Sequence, residues 1–306
     1  MTQLWFLSCI ANPVGYNSRI NLFNKFAKHI LEDLNAKLCI VECAYFDHDH
    51  SIDKLKPKKA NEENYIYIPV RSQSIMWHKE NLLNIGIEAL KGIADNICWC
   101  DADIDFLNHN APEEINKALE KNKVVQCYTT ALDTGPVGEV LKIDNSFAFS
   151  LKHNLPESYK KDQTNWHTGY VWAANIQFLL DIGGLFDKGI IGSGDRMMAD
   201  AFTGRLDKYK RECDKRLDFN DLLEWSILAY TDKIGYVSLV IKHNYHGHKK
   251  DRQYSTRGQT IIDHKYIPSE DLVINKDGVY EWSEKRQNSG LAQALVKYFI
   301  NRKEDH

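Results

Sequence analysis

Apolar and polar positions follow two different periods along the first half of the chain. Residues 4–10, LWFLSCI, form an almost unbroken apolar run of the length of a buried strand. The breakers Asn12, Pro13 and Gly15 end it. Over 18–34 the apolar residues Ile20, Phe23, Phe26, Ala27 and Ile30 recur at helical spacing, which predicts a helix with one buried face. Strands are predicted over 38–46 and 65–70, a helix over 75–93 and a short strand over 96–100. A helix over 112–121, with Pro112 in its first turn, and a strand over 124–128 complete this half. Strands alternating with helices predict an α/β fold with a mostly parallel sheet covered on both faces, and ligands beyond the carboxyl ends of its strands.

Beyond about residue 130 glycines, aromatics and polar residues interleave without a steady period. Helices are expected over 196–202, 219–230 and 291–302, and a strand over 235–242. No repeat or low-complexity linker divides the chain, so one domain over 1–306 is expected, in segments 1–130, 131–260 and 261–306.

Composition narrows the function classes. A chain of 306 residues has ample length for a large core, and a net charge of -3 gives no sign of a general polyanion-binding surface. No apolar run reaches membrane-spanning length, and residues 1–11 lack the basic start and cleavage site of a signal peptide. The seven cysteines are scattered without CxxC pairs, as expected of buried free thiols in a reducing compartment, so a cytoplasmic location is expected.

The chemistry concentrates in three patches. Asp101-Ala102-Asp103 closes the strand over 96–100, and residues two apart on extended backbone project together. Two carboxylates that close repel unless a cation neutralises them, and a divalent ion bridging them to a diphosphate would do so. Asp105 could be a third ligand; an ordinary acidic turn is the competing reading. His243, His246 and His248 fall within six residues after a predicted strand. His243 and His246 can converge only if the chain turns there, which Asn244 and Gly247 permit. Imidazole with carboxylate favours Mn²⁺ over Mg²⁺, and the following Lys249, Lys250, Arg252 and Arg257 could meet phosphate oxygens. The third patch runs from Gly169 through Gly183-Gly184 to Gly192-Ser193-Gly194-Asp195, where Trp166 and Trp172 offer sugar-stacking faces. Asp195 could serve as a general base or as an ordinary helix N-cap. The mixed-charge stretch 205–216 reads as a solvated helix.

Taken in order, Ser8 to Asn12 with Arg19, Trp77-His78-Lys79-Glu80-Asn81-Leu82-Leu83-Asn84-Ile85-Gly86, Trp99-Cys100-Asp101-Ala102-Asp103, Gly183-Gly184, Gly192-Ser193-Gly194-Asp195 and His243-Asn244-Tyr245-His246-Gly247 resemble GT-A glycosyltransferases. The likeness is greatest to the β-1,4-galactosyltransferase group and its bacterial and viral relatives. It implies a Rossmann-like GT-A fold, with 1–130 binding a nucleotide sugar, 131–260 carrying the acceptor side and 261–306 as an extension. It further implies Asp103 and His246 as metal ligands with His243 as a second imidazole, Asp101 on the donor ribose or a metal-bound water, and Asp195 as base of an inverting reaction. Ala11, Asn12 and Arg19 would lie near the nucleotide, and Arg71, Lys79, Asn84 and Gly184 near the donor. The implied cofactors are Mn²⁺, or Mg²⁺, and a nucleotide sugar, UDP-linked by expectation. His248 is an extra histidine that could replace His246. The acceptor stays open among a glycan, a lipid-linked sugar, a protein and a modified nucleic-acid base. Rival readings are a retaining transfer on the same fold, a sugar-nucleotide nucleotidyltransferase and a non-catalytic nucleotide- or carbohydrate-binding module.

Overall fold

The computed structural model describes residues 2–52, 60–158, 160, 162–254 and 256–305. Strand β1 (Leu4–Ala11) sends Leu4, Phe6 and Ile10 into one core and Trp5 and Leu7 into the other, all buried. Burial on both faces is why this segment reads as a continuous apolar run. β2 (Lys37–Tyr45) and β3 (Tyr65–Ser72) extend the sheet in parallel on one side of β1, and β4 (Asn96–Cys100) pairs parallel on the other. The direction of sheet growth thus reverses between β1 and β4. Chain leaving their carboxyl ends diverges there, which opens a crevice.

β5 (Ile104–Phe106) leaves this sheet; β6 (Val124–Gln126) returns to it, and β7 (Thr130–Thr134), β8 (Val140–Ser146) and β9 (Gln163–His167) lie in a second. β10 (Val171–Asn175) runs antiparallel between β4 and β6, β11 (Ile234–Tyr236) covers the outer edge of β6, and β12 (Val240–His243) joins the second sheet. Among the described residues the first sheet has the order β11-β6-β10-β4-β1-β2-β3 and the second the order β5-β12-β7-β8-β9. β13 (Leu272–Ile274) and β14 (Tyr280–Trp282) form a hairpin.

Helices cover both faces of the first sheet. Helix Asn17–Lys28 packs Phe23, Phe26 and Ala27 against Leu4 and Phe6, while helix Lys79–Ala89 packs Leu82, Leu83 and Ile87 against Trp5 and Leu7. Truncating one of these fully buried rings, as in Phe23→Ala, should cost roughly 3–5 kcal/mol. The fold is therefore mixed α/β, with a mostly parallel central sheet flanked by helices.

Two predicted elements differ. The helix expected over 75–93 starts at Lys79, because residues before it are engaged elsewhere: the Trp77 amide donates to the Ile190 carbonyl at 2.9 Å, and His78 lies between the Tyr45 hydroxyl and the Tyr280 carbonyl at 2.9 and 2.8 Å. The strand expected over 235–242 is two strands in two sheets, broken where the Leu239 amide turns back to the Val237 carbonyl at 2.8 Å. All seven cysteines are free, and five of them are buried. Among the described residues no helix is long and apolar enough to cross a membrane. The C-terminal helix Gly290–Ile300 buries Leu291, Leu295 and Phe299 in a third core with Met76, Ile190 and Trp282, and the chain then runs back to the open end of β1.

Candidate metal centre

The crossing from β4 to β5 takes residues 101–103 from one sheet to the other, at the carboxyl side of the crevice. The Ser8 hydroxyl ties β1 to the Cys100 carbonyl at 2.6 Å, and the Asp101 amide donates to the Tyr170 carbonyl at 3.0 Å. The backbone amide and side-chain amide of Asn244 both donate to the Asp103 carbonyl, at 2.9 and 3.0 Å. Strand register supplies the rest: His243 pairs with Ile104 of β5 on one side and with Asp133 of β7 on the other. The chain leaves the strand at His243. It turns through Gly247, whose φ of +93° disfavours any other residue, and this turn folds His246 back beside His243.

The resulting cluster is Asp103, His243 and His246, each offering a ligand atom within 4.8 Å of the others. Asp103 Oδ2 lies 3.0 Å from His246 Nε2, and Asp103 Oδ1 lies 3.8 Å from His243 Nε2. His243 Nδ1 is 2.6 Å from Asp133 Oδ1, and the other Asp133 oxygen takes the Lys249 ammonium at 2.6 Å. An ionised Asp133 can only accept, so it takes the Nδ1 proton of His243, and Nε2 is the ring nitrogen that faces Asp103. Asp103 Oδ1 is buried without a hydrogen-bond partner. A buried carboxylate oxygen without a donor, beside two imidazole rings, is an environment a cation satisfies, so these residues fit a divalent ion. Burial would push the Asp103 carboxyl up, but the imidazoles of His243 and His246 and the Arg252 guanidinium outweigh it and hold it well below the usual range. Burial lowers His246 to about 4, so its ring is neutral and able to coordinate. Arg252 Nη2 also approaches His246, at 3.1 Å from Nδ1 and 2.9 Å from Nε2.

These groups line a cavity of about 390 Å³ that runs from the end of β1 to the start of β10. Lys79 pairs with Asp101 in its wall. Burial works against the Lys79 charge, yet Asp101 and Glu80 beside it raise its pKa above the ordinary value. Asp195 stands in the first turn of helix Gly194–Phe202 and lines the same cavity. The N-cap position belongs to Ser193, in left-handed conformation at φ 75°, so Asp195 is not the cap. Gly169 leaves the room that Asp195 occupies, since a Cβ there would stand 2.7 Å from Asp195 Oδ2. Glu80 shares this deep end; its carboxylate accepts from Trp77 Nε1 at 3.0 Å, and burial pushes it up to about 7.

Of the residues singled out in the sequence, Ala11, Arg19, Lys79, Asp101, Asp103, Asp195, His243 and His246 meet at this cavity. Asn12, Arg71, Asn84 and Gly184 are not among its lining residues and hold local structure instead. The Asn12 side chain closes the loop to Tyr16, and the Arg71 guanidinium donates to the carbonyls of Phe46 and His48. Asn84 clips Leu185 through its amide and carbonyl at 2.9 and 2.7 Å and lies against Gly184. Arg19 spends its charge on the buried Glu304. Asp105 pairs with Lys25 at 2.5 Å, and His248 is exposed against Tyr245. The rings of Trp166 and Trp172 are buried around Phe147, so neither offers an open stacking face. In the stretch 205–216, Arg205 pairs with Glu157 and Asp200, and Arg216 with Asp218.

No known protein family matches this chain, and no curated protein sequence matches it. Among solved structures the chain is similar to GalNAc-T7 with UDP, GalNAc and Mn²⁺, at 12% identity and TM-score 0.46, over 80% of this chain and 44% of that one. It is similar to a mutant of Drosophila β1,4-galactosyltransferase 7 in complex with manganese, UDP-Gal and xylobiose, at 10% identity and TM-score 0.42, over 90% and 87% of the two chains. It is also similar to 4-diphosphocytidyl-2C-methyl-D-erythritol synthase from Anaerococcus prevotii, at 14% identity and TM-score 0.39, over 78% and 87%.

Several wall residues carry no signal in the sequence. Lys142, Thr164 and His167 come from the side of the second sheet and Phe299 and Arg302 from the chain's end, while Asp133 and Glu304 stand behind the wall, on His243 and Arg19. Trp77 stacks on Phe299, with Arg302 over its ring at 5.2 Å. Glu304 is drawn down to about 2 against the effect of its burial by Arg19 and Arg302. Local periodicity identifies the last helix but not the cavity it closes.

Proposed function

We propose that this chain is a metal-dependent glycosyltransferase, moving a sugar from a UDP-sugar to an acceptor hydroxyl with inversion. The observation that carries the reading is the set Asp103, His243 and His246, with Asp133 fixing the tautomer of His243. These three side chains would hold Mn²⁺, which supplies positive charge against the departing nucleotide diphosphate. Lys79 and Asp101, on the β4 side, face the donor. Asp195, across the cavity, accepts the proton of the attacking hydroxyl, and Gly169 leaves its carboxylate unobstructed. The end of β1 around Ala11 offers the nucleotide its wall. One domain over 1–306 carries the whole reaction on this reading.

Paired carboxylates at the end of a parallel sheet serve nucleotidyl transfer equally well, so the products decide between the two. The test screens nucleotide sugars by thermal shift and by hydrolysis, with Mn²⁺, Mg²⁺ or EDTA, on wild type and Asp103→Ala. Metal-dependent stabilisation and release of UDP, both lost in Asp103→Ala, are expected. Release of pyrophosphate from a nucleoside triphosphate and a sugar phosphate, with no hydrolysis of any nucleotide sugar, would replace this reading with nucleotidyl transfer.

A further inference from the structure

Two carboxyl groups share the deep end of the cavity, and each stands where a glycine makes room for it. A Cβ on Gly169 would stand 2.7 Å from Asp195 Oδ2, and a Cβ on Gly194 would collide with Glu80 Oε1. The two acids belong to helices far apart in sequence: Glu80 to the first turn of Lys79–Ala89 and Asp195 to the first turn of Gly194–Phe202. Both line a side pocket of about 10 Å³, together with Lys79 and the rings of Trp99, Trp172 and Phe202. That is the size of one water, with polar groups at hand to hold it.

The charges of this corner do not balance if every acid is ionised. The Lys79 ammonium acts on Glu80 and Asp195, but its direct partner is Asp101. Two further carboxyl groups on largely apolar walls do not both ionise cheaply, so one keeps its proton. Glu80 is the more buried, at 4% exposure, whereas Asp195 is part-exposed. Burial, with the Asp195 charge adding to it, pushes Glu80 up to about 7 against the pull of Lys79. Tyr170 also lines the pocket, and burial keeps its hydroxyl neutral. The Trp77 indole can only donate, and it takes Glu80 Oε2 at 3.0 Å. The acid proton is left to Oε1, the oxygen lying against Gly194, whose neighbour in the chain is Asp195.

We propose that Glu80 is a positioning residue for Asp195: its carboxyl proton reaches the Asp195 carboxylate through one water and holds it toward the larger cavity. Glu80 exchanges no proton with a substrate. A donor on one Asp195 oxygen fixes the rotamer and leaves the other oxygen for the attacking hydroxyl. Ionised Glu80 loses the donor and repels Asp195 instead. The catalytic side of this role rests on the transferase reading with Asp195 as base; the contact between the two acids does not.

Infrared difference spectra of the full chain, titrated between about pH 5 and 9, test the contact, with far-UV circular dichroism to verify the fold of each variant. Wild type should show a protonated-carboxyl band, missing in Glu80→Gln, that fades as pH rises through about 7. Asp195→Asn removes the like charge and should move that midpoint down. Absence of the band, or a midpoint that Asp195→Asn leaves in place, overturns the proposal. Kinetics with a turned-over nucleotide sugar test the positioning. Glu80→Ala should lower kcat roughly ten- to a hundredfold, with KM for the nucleotide sugar within about twofold. Glu80→Gln keeps an acceptor for Trp77 and a donor toward Asp195. It should recover most of the rate and lose the decline of kcat/KM that wild type shows as pH rises through about 7. A Gln variant as slow as the Ala variant, an Ala variant at the wild-type rate, or the same alkaline decline in wild type and Gln overturns the positioning role. No turnover of any nucleotide sugar under any metal overturns the transferase reading and the catalytic role with it, while the infrared titration still decides the contact.

Discussion

His243 and Asp133 sit opposite each other on neighbouring parallel strands, and the imidazole donates from Nδ1 to the carboxylate across 2.6 Å. The pair decides which ring nitrogen faces Asp103, and so whether this corner of the cavity can coordinate an ion. Asp133→Ala should free the ring to rotate and change tautomer. Affinity for Mn²⁺, measured by calorimetric titration, should fall by roughly ten- to a hundredfold. Unchanged affinity would mean that Asp133 plays no part in the centre.

Asp195→Asn keeps the shape of the side chain and removes its basicity. On the proposed reaction, kcat should fall by roughly a hundred- to ten-thousandfold, while the dissociation constant of the nucleotide sugar, read by thermal shift, stays within about twofold. A variant that turns over at the wild-type rate would assign the base elsewhere.

Gly169→Ala places a methyl group 2.7 Å from Asp195 Oδ2 and 3.3 Å from His167 Cε1. The carboxylate must shift, and a displacement of about 1 Å at a reacting group costs on the order of a hundredfold in rate. The expected result is a folded protein with reduced kcat and intact Mn²⁺ binding. Full activity would show that the Asp195 position tolerates movement.

Glu80 makes stability depend on pH. Burial raises its carboxyl from 4.5 to about 7, so the folded chain prefers it protonated. The corresponding stabilisation is complete below about pH 4.5, declines as pH rises, and is gone above about 7. Its size is on the order of 3 kcal/mol. In urea unfolding at several pH values between about 5 and 8, Glu80→Gln should lose this part of the pH slope. An identical slope in wild type and variant would rule the contribution out.

Much of the architecture was legible along the chain. The nearly unbroken apolar run from Leu4 to Ile10 fits burial on both faces, and the helical spacing of Phe23, Phe26 and Ile30 calls for a surface to pack against. Asp101 and Asp103 were identifiable as a pair because a strand end projects alternate residues together. The turn after His243 was legible as a condition for convergence, and Gly247 meets it. By contrast, Arg71 and Asn84 lie near the expected donor helix in sequence and serve loops instead, because hydrogen-bond partners in space are not encoded by spacing.

Periodicity, breakers and charge are properties of near neighbours, and they were enough to determine the α/β class, the parallel sheet and the carboxylate and imidazole patches. Which of those patches meet was decided by long-range register. β12 pairs with β5 and β7 at once, and that double pairing carries His243 to both Asp103 and Asp133. The return of the C-terminal chain to Arg19 arises the same way. These contacts join residues up to 285 positions apart, and only closure of the whole core makes that loop entropy affordable.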